Sequence, residues 1–152
     1  MSTLRSRSWS VSICYALLAV LYVGILGLLA NGFWAGSLRQ LRIDTRQMPQ
    51  LSGLVGVFLV LIVIHALMSV LTFRYYNRPR GWRLVILGVA TLLFAVACYR
   101  AYSTLVEHLD AHIVPPLFIP ADVALAFSYG FCAWILWRIH VNINNQLEQR
   151  SE

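Results

Sequence analysis

Residues 100–122 read RAYSTLVEHLDAHIVPPLFIPAD and concentrate the ionisable groups of a chain that is otherwise mostly hydrocarbon. Arg100 and Asp122 each lie just inside a long apolar segment. The residues between them include two acids, two histidines and two consecutive prolines. Long apolar segments are typical of membrane helices, whereas prolines end helices. The stretch therefore predicts a helical hairpin whose polar tip lies outside the hydrocarbon and whose two arms lie within it.

The composition of the whole chain indicates a membrane protein. Of its 152 residues, 59% are hydrophobic and 12% are charged, and the mean hydropathy is +0.69. Such a chain is too apolar for a soluble domain of this size. The net charge is +6, and every basic residue is an arginine. Because the arginines lie between apolar segments, they indicate membrane orientation and not nucleic-acid binding.

Four segments are long enough for membrane helices, which need about 20 apolar residues. They are residues 11–36, 51–73, 84–106 and 118–141. We predict a single domain over residues 1–152, an all-α integral membrane protein built as an antiparallel bundle of four transmembrane helices. Eight of the twelve arginines lie in the N-terminal segment, the loop 74–83 or the C-terminal tail. The positive-inside rule therefore predicts that both termini are cytoplasmic, and the short loops and arginine bias suggest a bacterial inner membrane.

Arg100 and Asp122 are charges inside predicted spans, where an unpaired charge costs about 2.5–3.5 kcal/mol at the helix centre. Helix geometry places them at similar depths on neighbouring helices. We therefore predict that they form an ion pair or a small polar cluster. Asp122 also follows Pro120 at the start of its helix, where the helix dipole stabilises an acid. The pair either clamps the two helices together or forms part of a proton or cation site.

In the second span, His65 shares a helical face with Ser69 and Thr72. A polar stripe of this kind is expected to face other helices and not lipid. His65 is therefore a candidate for an interhelical hydrogen bond, a ligand or a proton carrier. The predicted intramembrane polar cluster consists of Arg100, Asp122, Tyr129 and His65.

The loop 74–83 is the most basic part of the chain. Its arginines, together with neighbouring tyrosines and a tryptophan, are typical of a cytoplasmic turn with an aromatic belt. Asparagine, proline and glycine within it supply the chemistry of a turn between two helices. A specific site for an anionic lipid or a partner is the alternative interpretation. The four arginines of this predicted cytoplasmic basic loop are Arg74, Arg78, Arg80 and Arg83.

Metal and cofactor sites have little support in the sequence. His108 and His112 are candidates for zinc or copper, because side chains at i and i+4 share one side of a helix. The consecutive prolines that follow and the absence of an HExxH motif favour a polar loop, so we predict no metal site. No two histidines stand level for haem ligation, and the three cysteines lack CxxC spacing. Those cysteines, Cys14, Cys98 and Cys132, are expected to be small apolar side chains.

The sequence contains no serine or cysteine beside a base, no paired acids and no glycine-rich phosphate loop, so we predict that the protein is not an enzyme. The leading hypothesis is a multi-pass membrane protein that binds another membrane-associated protein, as an accessory or assembly subunit or as an immunity protein against a membrane toxin. The first alternative is a small homo-oligomeric transporter or channel whose path is lined by the intramembrane polar cluster. The second alternative is a cofactor-bearing redox subunit. The first two hypotheses require a lipid bilayer and either a protein partner or further copies of the chain.

Overall fold

The computed structural model describes residues 2–34, 48–111 and 118–149. These residues form four long α-helices and one short 3₁₀ turn, and no strand occurs in these ranges. The elements are α1 (Ser2–Trp34), α2 (Met48–Phe73), the 3₁₀ turn (Tyr75–Asn77), α3 (Arg80–Ala111) and α4 (Phe118–Glu148). The prediction of an all-α protein with four long helices is confirmed.

Each of the four helices contains a stretch long and apolar enough to cross a membrane. The stretches are Leu4–Leu28, Val55–Phe73, Arg80–Val106 and Ile119–Glu148. At most 22% of the most apolar window of any helix is buried within the chain. So much exposed hydrocarbon would be unfavourable in water, because each square ångström of it costs about 25 cal/mol. A lipid bilayer is the environment that suits this surface.

The helices extend beyond the apolar segments that predict them. α3 continues past residue 106 to Ala111, where a polar loop is predicted, and α4 continues past residue 141 to Glu148. A helix satisfies its own backbone hydrogen bonds, so it does not have to end where its apolar side chains end. Hydropathy therefore marks the part of each helix that suits hydrocarbon and not the ends of the helix.

The described chain divides into two compact units. The first comprises Met1–Val11 with Leu71–Glu152, and the second comprises Ser12–Val70. In the first unit, α3 and α4 pack side by side and run antiparallel. Their buried apolar side chains recur every three, four or seven residues, as expected for two helices that share a seam. These side chains are Ile86, Ala90 and Ala97 on α3, and Tyr129, Cys132, Ile135, Leu136 and Ile139 on α4.

The second unit contains the remaining parts of α1 and α2, which also run antiparallel. Ser12 Oγ donates to the carbonyl oxygen of Ser69 at 2.7 Å, and Ser69 Oγ donates to that of Ser12 at 2.9 Å. Further along, the rings of Tyr22 and Phe58 lie 5.9 Å apart. Reciprocal hydroxyl bonds of this kind hold helices together where hydrocarbon offers no other partner.

Candidate functional site

A polar bridge of three side chains, Arg100, Thr104 and Asp122, joins α3 to α4. Thr104 Oγ1 donates a hydrogen bond of 2.6 Å to Asp122 Oδ2. Arg100 Nη2 lies 4.0 Å from the same oxygen, the limit of an ion pair, and the Arg100 side chain is 68% exposed while that of Asp122 is 14% exposed. The structure thus brings the predicted pair together but gives the shorter contact to Thr104. Thr104 is not among the site residues predicted from the sequence, although its i+4 spacing from Arg100 places both on one helical face.

The other members of the predicted intramembrane polar cluster lie elsewhere. Tyr129 is buried on α4, seven residues after Asp122 and so about 10 Å further along the helix. His65 belongs to the second unit, where its ring lies 5.1 Å from that of Tyr22. Its Nδ1–H donates to the carbonyl oxygen of Leu61 on the same helix. In that unit His65 is a hydrogen-bonded group among aromatic rings.

An apolar groove of about 660 Å³ lies along α3 and α4. Four of its lining residues are small. These residues are Cys98 and Ala101 on α3, and Ala126 and Gly130 on α4. Val123 on α4 also contributes to the lining. The groove has no charged lining residue among those described, so it suits an apolar occupant.

Aromatic side chains border the same groove. Phe127 is 75% exposed, Phe131 is 56% exposed and Trp134 is 51% exposed, and all three line the groove from α4. On α3 the aromatic lining residue is Phe94. Rigid aromatic groups of this size provide large contact areas at low entropic cost.

Gly130 leaves space beside the groove for the Phe94 ring of α3. A Cβ atom at this position would lie 2.8 Å from Phe94 Cε2 and 3.3 Å from two further atoms of the same ring. Packed carbon atoms do not tolerate contacts this short, because their optimal separation is about 3.5–4.0 Å. The Phe94 ring therefore occupies the space that any larger residue at position 130 would require.

The basic turn, residues 74–83, connects α2 to α3. Arg74 and Arg80 are exposed, Arg78 is half-buried and Arg83 is only 3% exposed. The Tyr75 hydroxyl donates to the Arg83 carbonyl oxygen at 3.3 Å. Burial raises the pKa of Tyr75 to about 12, although the Arg83 charge acts in the opposite direction, so the hydroxyl keeps its proton. The sequence does not distinguish the four arginines, but the fold buries Arg83.

The histidine pair suggested as a metal site can be placed only in part. His112 lies outside the described residues, and of His108 only the backbone, within α3, is described. In the described ranges, no group of three or more histidine, cysteine, aspartate and glutamate side chains could hold a metal ion.

The described chain thus offers three features with possible function, namely the polar bridge, the apolar groove and the basic turn. No family model, no curated protein and no solved structure matches the chain.

Proposed function

We propose that this chain is a non-enzymatic accessory protein of a bacterial inner membrane that binds a transmembrane helix of a partner protein. The apolar groove on α3 and α4 is the observation that carries the proposal. It is lined by small side chains beside exposed aromatic ones, which is the surface that a helix needs in order to approach closely in lipid. The partner is therefore a membrane protein whose spanning helix presents an apolar face.

The length of the groove suits a helix. Along α4 it extends from Val123 to Trp134, twelve residues that cover about 16 Å, or three helical turns. Three turns allow a partner to place side chains at i, i+3 or i+4, and i+7 against the groove. The small side chain of Ala126 leaves room for a neighbouring backbone, whereas the space beside Gly130 is filled by the Phe94 ring.

Binding has to compete with lipid, since acyl chains are as apolar as the groove. Helix association in membranes is driven by van der Waals packing and not by the expulsion of water. The exposed rings of Phe127, Phe131 and Trp134 favour such packing because they are large and have few rotatable bonds. A partner helix that fits between these rings makes van der Waals contacts that the disordered acyl chains of lipid do not make to the same extent.

The polar bridge supports the groove by holding its two helices together. Asp122 is adjacent to Val123 at one end of the groove. Its hydrogen bond to Thr104 therefore ties α4 to α3 at that end. A fixed helix pair presents its groove in one shape, which lowers the entropic cost of binding.

The test uses site-specific photo-crosslinking in the membranes of the native host. We place p-benzoylphenylalanine at Phe127. We then compare two alanine-to-tryptophan substitutions on the same helix. Ala126→Trp fills the groove, whereas Ala124→Trp adds an indole at an exposed position that does not line it. Overpacking costs about 1–3 kcal/mol, so we expect Ala126→Trp to weaken the crosslink about tenfold and Ala124→Trp to leave it unchanged.

The proposal requires a discrete protein adduct that disappears with Ala126→Trp, persists with Ala124→Trp, and contains a membrane protein whose abundance or activity falls when this chain is deleted. Adducts to lipid alone would contradict it. A crosslink between two copies of the chain would favour the homo-oligomer in its place. Equal effects of the two tryptophans would show that the groove is not the binding surface.

A further inference from the structure

A cavity of about 390 Å³ lies where the start of α1 meets the end of α2 and the basic turn. Side chains that carry positive charge, hydrogen-bond donors or aromatic rings line it, and all belong to the first unit. They are Arg5, Trp9, Phe73, Arg74, Tyr76 and Asn77. We propose that this cavity, the interfacial pocket, binds the phosphate group of an anionic phospholipid. It shares no described lining residue with the apolar groove, so the proposal does not depend on a partner helix there.

One aromatic contact brings the two arginines of the interfacial pocket together. Arg5 and Trp9 are four residues apart on α1 and therefore lie on one face of that helix. The Trp9 ring packs against the ring of Phe73, the last residue of α2, with 4.8 Å between the centroids. Arg74 follows Phe73 directly. The contact thus places Arg5 and Arg74 beside the same cavity, although they are far apart in the sequence.

The 3₁₀ turn holds the remaining lining residues in place. The Asn77 N–H donates to the Arg74 carbonyl oxygen at 3.1 Å. Tyr75, between them, is fully buried, and its hydroxyl donates to the Arg83 carbonyl oxygen of α3. Tyr76 and Asn77 are therefore fixed next to Arg74 before any ligand binds. Such preorganisation lowers the entropic cost of binding.

The interfacial pocket is open to a ligand and suits an anion. Arg5, Arg74 and Asn77 are exposed, and Tyr76 is half-buried. No described lining residue is acidic, so an anion between the two arginines offsets their mutual repulsion. A planar guanidinium can donate two parallel hydrogen bonds to phosphate oxygens. The hydroxyl of Tyr76 and the amide of Asn77 are further donors beside them.

A phospholipid is the source of phosphate that this location favours. The apolar stretch of α1 begins at Leu4 and that of α2 ends at Phe73, so the pocket lies at the level of the lipid headgroups. Trp9 is 42% exposed and Phe73 is 39% exposed, and exposed tryptophans are typical of the membrane interface. Their rings offer an apolar surface beside the two guanidinium groups. A phospholipid has an apolar part and an anionic part to match both surfaces, whereas inorganic phosphate has only the charge.

The experiment measures lipid retention by native mass spectrometry of the full chain in an uncharged detergent, with equal amounts of phosphatidylglycerol and phosphatidylcholine. The wild type is expected to retain phosphatidylglycerol in preference to phosphatidylcholine. Arg74→Gln removes one charge from the pocket, so retention of phosphatidylglycerol should fall about fivefold. The matched control Arg80→Gln removes the same charge from an exposed position of the same turn that does not line the pocket. It should retain lipid as the wild type does.

A second variant tests the pocket from α1. Arg5→Gln should lower retention as Arg74→Gln does, because both arginines contact the same phosphate. Circular dichroism and gel filtration establish that each variant is folded, and Arg5→Gln decides the outcome if Arg74→Gln does not fold. Retention equal to that of Arg80→Gln would overturn the site, since diffuse attraction to a basic surface does not distinguish these positions. Equal retention of the two lipids by the wild type would also overturn it.

The thermal midpoint of unfolding separates lipid from free phosphate. Lipid-free protein in the same detergent is titrated with phosphatidylglycerol and, separately, with inorganic phosphate. We expect phosphatidylglycerol to raise the midpoint of the wild type more than that of Arg74→Gln, and inorganic phosphate to raise it less than phosphatidylglycerol does. An equal or larger rise with inorganic phosphate would overturn the lipid assignment, and no rise with either ligand would overturn the site.

Discussion

At Asp122 the carboxylate is held by a hydroxyl more closely than by a guanidinium. The Thr104 bond measures 2.6 Å, whereas Arg100 lies 4.0 Å away from the same oxygen. Hydroxyl bonds to a carboxylate are charge-assisted and roughly twice as strong as neutral ones. Arg100 lies six residues before Val106, the end of the α3 span, so its long exposed side chain can reach toward the headgroups, about 9 Å away.

We predict that Thr104→Val destabilises the helix pair by about 1–3 kcal/mol, because it leaves the Asp122 carboxylate without its short hydrogen bond while keeping the side-chain shape. The free energy of unfolding in mixed micelles measures the change. Ser103→Ala is the matched control, since the Ser103 hydroxyl donates to the Arg100 carbonyl oxygen of its own helix. That substitution should cost less than about 0.5 kcal/mol.

Equal losses in the free energy of unfolding for Thr104→Val and Ser103→Ala would contradict this prediction. They would show that the hydrogen bond from Thr104 to Asp122 adds no more stability than the Ser103 hydroxyl bond within one helix. A double-mutant cycle separates the contributions of the two neighbours of Asp122. The coupling of Asp122 with Thr104 is expected to exceed that of Asp122 with Arg100, because the first contact is shorter and more buried.

At the scale of the helix pair, one glycine and one aromatic ring decide the shape of the groove. Gly130 on α4 leaves the space that the Phe94 ring of α3 fills. The ring is half-exposed at 37%, so it can rotate away when that space is taken. The helices therefore need not separate if position 130 gains a methyl group, but the ring has to move.

We predict that Gly130→Ala changes the free energy of unfolding by less than about 1 kcal/mol and still weakens the partner crosslink at Phe127, because the displaced Phe94 ring alters the groove. Gly88→Ala on α3 is the control, since a Cβ there meets nothing within 4 Å. The combined change Gly130→Ala with Phe94→Leu should restore crosslinking. An unchanged crosslink in Gly130→Ala would show that the groove tolerates the movement of the ring.

At the scale of the whole molecule, the distribution of arginines predicts that both termini are cytoplasmic. Two exposed positions test this prediction because they lie at opposite ends of the α3–α4 hairpin. Leu109 lies near the end of α3 and is 65% exposed. Asn145 lies near the end of α4 and is also exposed. The predicted topology puts residue 109 outside and residue 145 inside the cell.

The measurement is labelling of intact cells with a membrane-impermeant maleimide, after the native Cys14, Cys98 and Cys132 have been replaced by alanine. We expect Leu109→Cys to be labelled in intact cells, and Asn145→Cys to be labelled only after the cells are permeabilised. The opposite pattern would reverse the topology. Labelling of both positions in intact cells would show that α3 and α4 do not both cross the membrane.

The apolar pattern of the sequence is enough to predict the four helices and the environment that they suit. Long apolar segments place the chain in a bilayer, and hydrocarbon then requires every backbone group to be paired within a helix. The proximity of Arg100 and Asp122 could also be predicted, since it follows from the length of two antiparallel helices and from the short connection between them. Helix ends could not be read from hydropathy, because α3 and α4 continue into polar sequence.

Which side chains meet depends on how the helices pack against each other. The role of Thr104, the apolar groove and the burial of Arg83 all depend on which face each helix turns toward its neighbour and on how closely the two approach. Gly130 and Phe94 are far apart in the sequence, and nothing in the local pattern around either residue requires contact between them. The short distance between Gly130 and the Phe94 ring decides the shape of the groove. Short-range van der Waals contact sets such distances, so they emerge only when both helices are in place.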